Sequence, residues 1–326
     1  MPECDGNGLT SLSLFSGGGG LDLGFKRAGF EHLASYEILQ EAADTLTTAD
    51  PDWLVYGGDD GDVCQVDWRE YRGKVAVLHG GPPCQPFSAA GRQRGQHDTR
   101  DMFPEFVRAV REAKPAAFVA ENVPALVSKK FATYVHDDIL EPLSREYEVR
   151  QLVLPAEDYG VPQVRRRVIF AGFRDRRSAK RFLPPAATHA PFGGVPSGLP
   201  SCPGARQALG LPDIGRDALA PTIRSALTGP RHTTSVISSV SAARKWAEIE
   251  IWPNGVAPSR EKARAFVAKN GHFRLSTQDC AILQGFPESW PFQGATYMVL
   301  GQIGNAVPPT LGYAVARSVA DALAGA

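Results

Sequence analysis

Gly80-Gly81-Pro82-Pro83-Cys84-Gln85-Pro86-Phe87-Ser88 follows the short apolar run Val75-Ala76-Val77-Leu78. A short apolar run bounded by turn residues reads as a buried parallel strand. Proline has a fixed φ and no N–H to give to a ladder, so the strand must stop there. The stretch therefore predicts a stiff loop at the carboxyl end of a strand, the edge at which open α/β sheets bind ligands. Cys84, set among three prolines and a glycine pair, is badly placed for core packing. A thiolate nucleophile is the reading that its position favours over a structural cysteine.

Upstream, Leu12-Ser13-Leu14-Phe15 reads as a first strand, and Leu21 to Ala28 as a helix after Ser16-Gly17-Gly18-Gly19-Gly20. Strand, glycine loop and helix start form a nucleotide-type cradle: glycine admits close backbone approach, and the helix start offers unpaired N–H groups. The fingerprint G-x-G-x-x-G is incomplete, because Asp22 stands at the third glycine position. That weighs against a nicotinamide cofactor. Glu37 closes the apolar stretch Leu33-Ala34-Ser35-Tyr36, and Asp62 follows Gly61. Acids at successive strand tips describe a site for an adenosine, with Glu37 accepting from ribose hydroxyls and Asp62 near the adenine amino group.

Downstream, Arg92-Gln93-Arg94-Gly95-Gln96-His97-Asp98 is polar and basic, and reads as a mobile loop beside the thiol. Asp101 to Ala113 has helical periodicity, with Phe103, Phe106, Val107 and Val110 on one face. Pro115 to Ala120 is the next strand and delivers Glu121-Asn122-Val123-Pro124 at its tip. A carboxylic acid there is partly desolvated, which favours its holding a proton. Tyr147–Pro155 and Arg167–Phe173 are two further strands, with Arg165 and Arg167 expected on the same side of an extended segment. The densest positive cluster, Arg174, Arg176, Arg177, Lys180 and Arg181, follows and reads as a phosphate-binding stripe.

The chain has 326 residues, 43% hydrophobic and 21% charged, enough for one α/β core and a smaller second unit. No apolar run approaches the ~20 residues of a membrane span. The start, Met1-Pro2-Glu3-Cys4-Asp5, lacks the marks of a signal peptide. Five scattered cysteines without a C-x-x-C pair suggest neither a disulfide framework nor a zinc site, and no metal is expected. A reducing cytoplasm fits this usage. The net charge of zero hides an asymmetry. Residues 1–160 carry 15 Lys+Arg and 26 Asp+Glu, while residues 161–326 carry 20 and 9. A basic half beside an acidic half points to a polyanionic partner.

From about 183 to 272 the texture becomes irregular, with Pro184-Pro185, Pro191-Phe192-Gly193-Gly194 and Pro196-Ser197-Gly198. Thr222 to Ser241 is rich in Ser, Thr and Val and includes Arg231 and His232. No long helix is expected before Ser259–Ala268. Thr277 is the expected cap of a helix running through Leu283, and Thr310 to Leu323 is the expected last helix, with proline just inside its start.

In order and spacing, Phe15 to Gly20, Gly80 to Ser88, Glu121-Asn122-Val123, Gln163-x-Arg165-x-Arg167, Arg274-Leu275 through Gln284-Gly285-Phe286-Pro287, and Gly301 to Val307 resemble the DNA (cytosine-5) methyltransferases, the bacterial modification enzymes in particular. The departures are small: Asp98 to Phe103 is short and lacks a glycine usual in the family, and Ile38 replaces a common aromatic. The resemblance implies a Rossmann-like α/β catalytic sheet, binding S-adenosylmethionine, with a small, loop-rich β target-recognition domain. The implied division is 1–173 catalytic, 174–272 target recognition and 273–326 a C-terminal segment whose last helix returns to the catalytic domain. It implies Cys84, Glu121, Arg165 and Arg167 as catalytic residues, Arg165 gripping the O2 side of the cytosine and Arg167 supporting the loop or the same edge. Cofactor contacts fall to Phe15, Gly17, Gly19, Gly20, Leu21, Glu37, Ile38, Asp62, Val63, Pro83, Asn305 and Ala306. DNA contacts fall to Ser88, Arg92, Gln93, Arg94, Arg174, Arg231 and His232. The implied partner is double-stranded DNA, with no membrane, a monomeric enzyme and a separately encoded companion endonuclease.

Three other classes stand beside this one. A tRNA cytosine methylase of similar build would carry a Cys-Phe-Thr tripeptide, which is absent. A non-enzymatic DNA-binding protein of this fold would have no need of the thiol. A flavin or nicotinamide enzyme would need the missing third glycine.

Overall fold

The computed structural model describes residues 1–83, 101–195, 198–225, 233–265 and 271–324. Chain contacts divide it into two compact units: residues 1–154, 166–186 and 311–326 form the first, and residues 155–165 and 187–310 the second.

The first unit is built on a seven-stranded sheet. Its strands are β1 (Thr10–Leu14), β2 (Glu31–Glu37), β3 (Val55–Gly57), β4 (Val77–Gly80), β5 (Ala117–Asn122), β6 (Glu148–Pro155) and β7 (Arg166–Phe173), in the order β3-β2-β1-β4-β5-β7-β6. The first five are mutually parallel, and β7 runs antiparallel to β5. The central strands are buried from end to end: β4 and β5 have no exposed residue, and in β1 even Ser11 and Ser13 lie inside. Helices covering both faces of a parallel sheet produce this pattern. β4 stops at Gly80, ahead of Pro82 and Pro83, as the proline pair predicts.

Helix α1 (Gly20–Arg27) follows β1, α2 (Gln40–Ala49) follows β2, and α3 (Phe103–Ala113) precedes β5. The anticipated stripe of α3 faces the sheet, with Phe103, Phe106, Val107 and Val110 all buried. Phe106 meets Phe118 edge-on at 6.2 Å and Phe103 meets Phe170 at 6.1 Å. Each fully buried phenylalanine contributes about 2–3 kcal/mol. The last helix, Pro309–Leu323, lies close against α1: a Cβ on Gly24 would come within 2.6 Å of the Tyr313 backbone nitrogen.

Residues 174–186 belong to the first unit, and 155–165 and 273–310 to the second. Local contacts account for both placements. Helix Arg176–Arg181 is tied back by the Arg181 guanidinium on the Ala322 carbonyl, and Phe182 packs on Phe173 at 5.0 Å. Gln163 bridges to Ala220, with Val164 N–H donating to the Ala220 carbonyl at 2.8 Å.

The second unit has a two-stranded parallel sheet, β8 (Ile251–Ala257) with β9 (Phe273–Ser276), amid loops and short helices. Two expectations are corrected here. Val240–Glu248 is a nine-residue helix where none was anticipated, capped by Ser239 Oγ accepting from Ala242 N–H and anchored by the fully buried Trp246. The cap of helix Thr277–Leu283 is Ser276 rather than Thr277: Ser276 and Asp279 close a reciprocal capping box. Among the described residues no helix is long and apolar enough to cross a membrane.

Candidate active site

In the first unit the parallel strands end together. Leu14 pairs with both Tyr36 and Gly80, and Gly80 with Ala120. The residues that follow, Phe15, Glu37, Gly81 and Glu121, therefore share one sheet edge.

β1, the glycine loop and the start of α1 follow one another at this edge. Phe15 has φ +54°, a left-handed conformation costly for a side chain of its bulk and typical of ligand clamps. Gly17 and Gly19 have φ +54° and +80°, and Gly19 caps α1, whose first residues are Gly20 and Leu21. Glu37 ties the loop down: its Oε2 accepts from Gly17 N–H at 2.7 Å and its Oε1 from Leu39 N–H at 2.8 Å. Burial raises its pKa, and these two backbone donors oppose the rise. Ile38 next to it is 59% exposed, an apolar side chain left at the rim. Gly61 lies so close to the Glu37 carbonyl that a Cβ would approach it to 2.3 Å. This brings Asp62 and Val63 beside the β2 tip. Asp62 caps the turn Val63–Gln65 through Cys64 N–H, and Arg108 holds the Val63 carbonyl at 2.7 Å. Glycines with left-handed backbone, a buried carboxylate and an exposed apolar side chain fit an adenosine: the first would admit close approach, the second would accept from ribose, and the third would cover a base.

On the other side of β4, Glu121 and Arg167 form a buried ion pair, Oε1 to Nε 2.5 Å, both side chains under 10% exposed. The antiparallel direction of β7 explains it. Asn122 pairs with Val168, so the first residues of β7 arrive beside the last residues of β5. Gly81 lies against the same carboxylate, where a Cβ would stand 3.1 Å from Oε2. Asn122 donates its Nδ2 to the Pro82 carbonyl at 3.0 Å and accepts from Val123 N–H at 2.9 Å. The approach to Cys84 is thus pinned through Gly81 and Pro82 to the tip of β5. In the sequence Asn122 stands only within the Glu121-Asn122-Val123 motif, with no role of its own; an amide at the end of an apolar strand, which must find a partner when buried, is the available signal.

Among the described contacts, Arg167 meets Glu121, while Arg165 meets the Gly304 and Ala306 carbonyls. Arg165, in the second unit, is 3% exposed and donates from Nη2 to the carbonyls of Gly304 and Ala306, each at 2.8 Å. It thereby binds the last turn of helix Thr296–Asn305, which carries Asn305 and the cap residue Ala306.

Arg174 stands apart from Glu121. It follows β7, its N–H donates to the Ala116 carbonyl, and its guanidinium binds the Lys114 carbonyl, at the opposite edge of the sheet. Two other members of that cluster also have local partners, Arg176 with Glu148 and Arg181 with the Ala322 carbonyl. Near Lys114 is a cavity of about 490 Å3 lined by Arg72, Arg108, Arg111 and Glu112. Cys84, Ser88, Arg92, Gln93, Arg94, Arg231 and His232 lie outside the described residues. Of the other cysteines, the Cys64, Cys202 and Cys280 thiols are all raised by burial, Cys202 to about 12, which disfavours thiolate at each.

A mostly parallel sheet of this order, with a glycine loop after β1 and an ion-paired acid beside Gly81 at the tip of β5, has the fold of the Rossmann-like methyltransferases. The sequence matches the family model of the C-5 cytosine-specific DNA methylases over residues 9–194 and 221–321. It is 35% identical to the type II methyltransferase M.NgoMIV of Neisseria gonorrhoeae, over 97% of this chain and 98% of that protein. It is 32% identical to M.NaeI of Lentzea aerocolonigenes, over 97% of this chain and 75% of that one. Among solved structures, the fold is shared with a DNMT2 mutant of Spodoptera frugiperda (TM-score 0.63, 17% identity, 95% of this chain and 99% of that one). It is also shared with the methyltransferase EhMeth of Entamoeba histolytica (TM-score 0.61, 13% identity, 95% and 97%). The chain belongs to the C-5 cytosine-specific DNA methylases and is a DNA (cytosine-5-)-methyltransferase.

Proposed function

We propose that this enzyme methylates C5 of one cytosine within a defined duplex sequence, through a transient bond from Cys84 to C6 of the flipped-out base. The observation that carries this reading is the anchoring of Glu121 beside Gly81, three residues before the cysteine.

C5 of cytosine is a poor nucleophile. Addition of the Cys84 thiolate at C6 makes C5 an enamine carbon able to attack an alkyl donor. Glu121 holds the N3 and exocyclic amino edge, so that the ring accepts the electrons of the new C–S bond. Arg167, paired to Glu121, orients that carboxylate and takes the base-side role; Arg165 instead orders the Gly304–Ala306 turn. S-adenosylmethionine supplies the electrophilic methyl group. Glu37 would receive its ribose hydroxyls, Ile38 would cover its adenine and Asp62 would meet the adenine amino group. Gly17 to Leu21, Phe15, Val63, Pro83, Asn305 and Ala306 would complete its surroundings. Once C5 is methylated, its proton leaves to an ordered water and the thiolate is expelled.

C6 is attacked from the ring face, so the base must leave the stack. Arg92 and Gln93 fill the gap it leaves, and Ser88, Arg94, Arg231 and His232 contact the DNA. Target choice rests on side chains between 174 and 272 meeting base edges. The type II relatives support a modification role; in this reading the enzyme is a cytoplasmic monomer working beside a separately encoded endonuclease.

The test is a plasmid incubated with the enzyme and methyl-tritiated cofactor, then mapped by bisulfite sequencing. Modified cytosines confined to one short sequence are expected. Label at adenine, or at cytosines without a common context, would contradict the reading.

A further inference from the structure

Two buried carboxamides in the second unit join segments far apart in sequence. Gln163 and Gln284 are both fully buried. Gln163 Oε1 accepts from Ile223 N–H at 3.1 Å, while its Nε2 donates to the Leu283 carbonyl at 3.1 Å and to Gln284 Oε1 at 2.8 Å. Gln284 passes the chain on, its Nε2 donating to the Ala306 carbonyl at 2.7 Å. That carbonyl also receives Arg165. A polar path thus runs from Ile223 through two amides to the Gly304–Ala306 turn, and Arg165 Nη1, donating to Gln163 Oε1 at 3.5 Å, adds a longer second link between the same ends. The same turn is closed from a second side: a Cβ on Gly304 would lie 2.5 Å from the Ser225 nitrogen.

The two ends of this path have different expected ligands. Residues 223–225 lead directly into the stretch holding Arg231 and His232, the expected DNA contacts. The Gly304–Ala306 turn carries the expected cofactor contacts Asn305 and Ala306. An amide has a direction, since its oxygen accepts and its nitrogen donates. Two amides in series, each satisfied at both ends, therefore fix the two backbone segments in one relative arrangement. An apolar side chain of the same size would fill the space without that constraint, and would leave buried backbone groups unpaired.

We infer that Gln163 and Gln284 are positioning residues that couple target DNA binding to cofactor binding, so that each ligand tightens the other. This rests on the proposed DNA and cofactor contacts of the second unit. Linkage requires the coupling to be reciprocal. Neither glutamine need touch a ligand. Their effect is to make the arrangement selected by correct DNA the one that also receives the cofactor.

The experiment measures S-adenosylmethionine affinity with and without the duplex identified by bisulfite mapping, in the wild type, Gln163→Met, Gln284→Met and the double variant. Gln284→Met removes both the contact from Gln163 and the link to Ala306, yet leaves Ile223 and Leu283 held by Gln163, so it remains informative if Gln163→Met does not fold. In the wild type the duplex should tighten cofactor binding by about 5-fold or more. Each folded variant should bind either ligand alone within about threefold of wild type but lose most of the coupling. The double variant should lose no more than the singles, as members of one path do. A merely structural role would lower the melting temperature and leave the coupling intact. Full coupling in folded Gln284→Met, or none in an active wild type, overturns the inference. A wild type that methylates no cytosine would instead refute the proposed function.

Discussion

The side chain of Asn122 holds the carbonyl of Pro82 across a buried 3.0 Å hydrogen bond, two residues before Cys84. Neighbouring strands thus bring two motifs 40 residues apart into one rigid corner. Asn122→Ala should leave that carbonyl buried and unpaired, costing about 1–3 kcal/mol of stability. It should also slow methyl transfer by about 10-fold or more, by the sensitivity of catalysis to small misplacements. Denaturant unfolding and single-turnover rates check the two effects separately; an unchanged rate would free the cysteine loop from this contact.

Gly81→Ala tests the other face of the corner. The new methyl would stand 3.1 Å from Glu121 Oε2, so the carboxylate must shift by a few tenths of an ångström. Stability should change by about 1 kcal/mol, within the range of mild overpacking. Turnover should fall by far more than duplex affinity does, as a kcat and KM comparison would show.

Arg167→Ala leaves a buried carboxylate without its guanidinium. Breaking a buried pair from one side costs about 3–5 kcal/mol. Arg167→Lys keeps the charge but cannot reproduce the Nε contact, and should recover only part of the loss. Chemical denaturation of the pair of variants checks the ranking. Equal stability of Arg167→Ala and wild type would mean that the Glu121–Arg167 pair is not formed in solution.

His79 carries a pH dependence of known sign. It is fully buried in β4, stacked on Phe25 at 4.0 Å, and among the described residues neither ring nitrogen has a hydrogen-bond partner. Burial lowers its pKa to about 4; the Asp22 carboxylate opposes this and His32 adds to it. Its folded pKa lies below the unfolded value of about 6.5. Stability from this site is therefore fully present above pH 6.5 and is lost as pH falls toward 4, by about 3 kcal/mol in all. His79→Phe should flatten that part of the stability curve, measured by urea unfolding from pH 7.5 to 4. An unaltered slope would mean that another group takes up the proton.

Much of this was legible because local chemistry and sheet order agree. Prolines after Gly80 end a strand wherever they occur, and the glycines after Phe15 admit the left-handed backbone found at Gly17 and Gly19. Acids at the ends of apolar runs lie on one edge because parallel strands end together. The arginines were less legible. Their spacing in an extended segment gives no sign that β7 runs antiparallel to β5, yet that direction brings Arg167 to Glu121 and carries Arg174 to the far edge. Arg165 takes its partners from Gly304 and Ala306, some 140 residues away, which no local pattern encodes. The helix at Val240–Glu248 was hidden because Trp246 and Ala242 form its buried face within a serine- and valine-rich stretch. The motif Glu121-Asn122-Val123 names Asn122 but not its role, because a lone amide beside a carboxylate shows no function until its partner, the Pro82 carbonyl, is seen.

The central claim is that the sulfur of Cys84 bonds to C6 of the target cytosine. A duplex with 5-fluorocytosine at the mapped position, incubated with enzyme and S-adenosylmethionine, tests it most directly, because fluorine at C5 cannot leave as a proton does. The account predicts a covalent protein–DNA complex stable to denaturation, a peptide adduct at Cys84 by mass spectrometry, and no complex with Cys84→Ser. Methylation of ordinary duplex with no trapped complex, or an adduct at another residue, would contradict it.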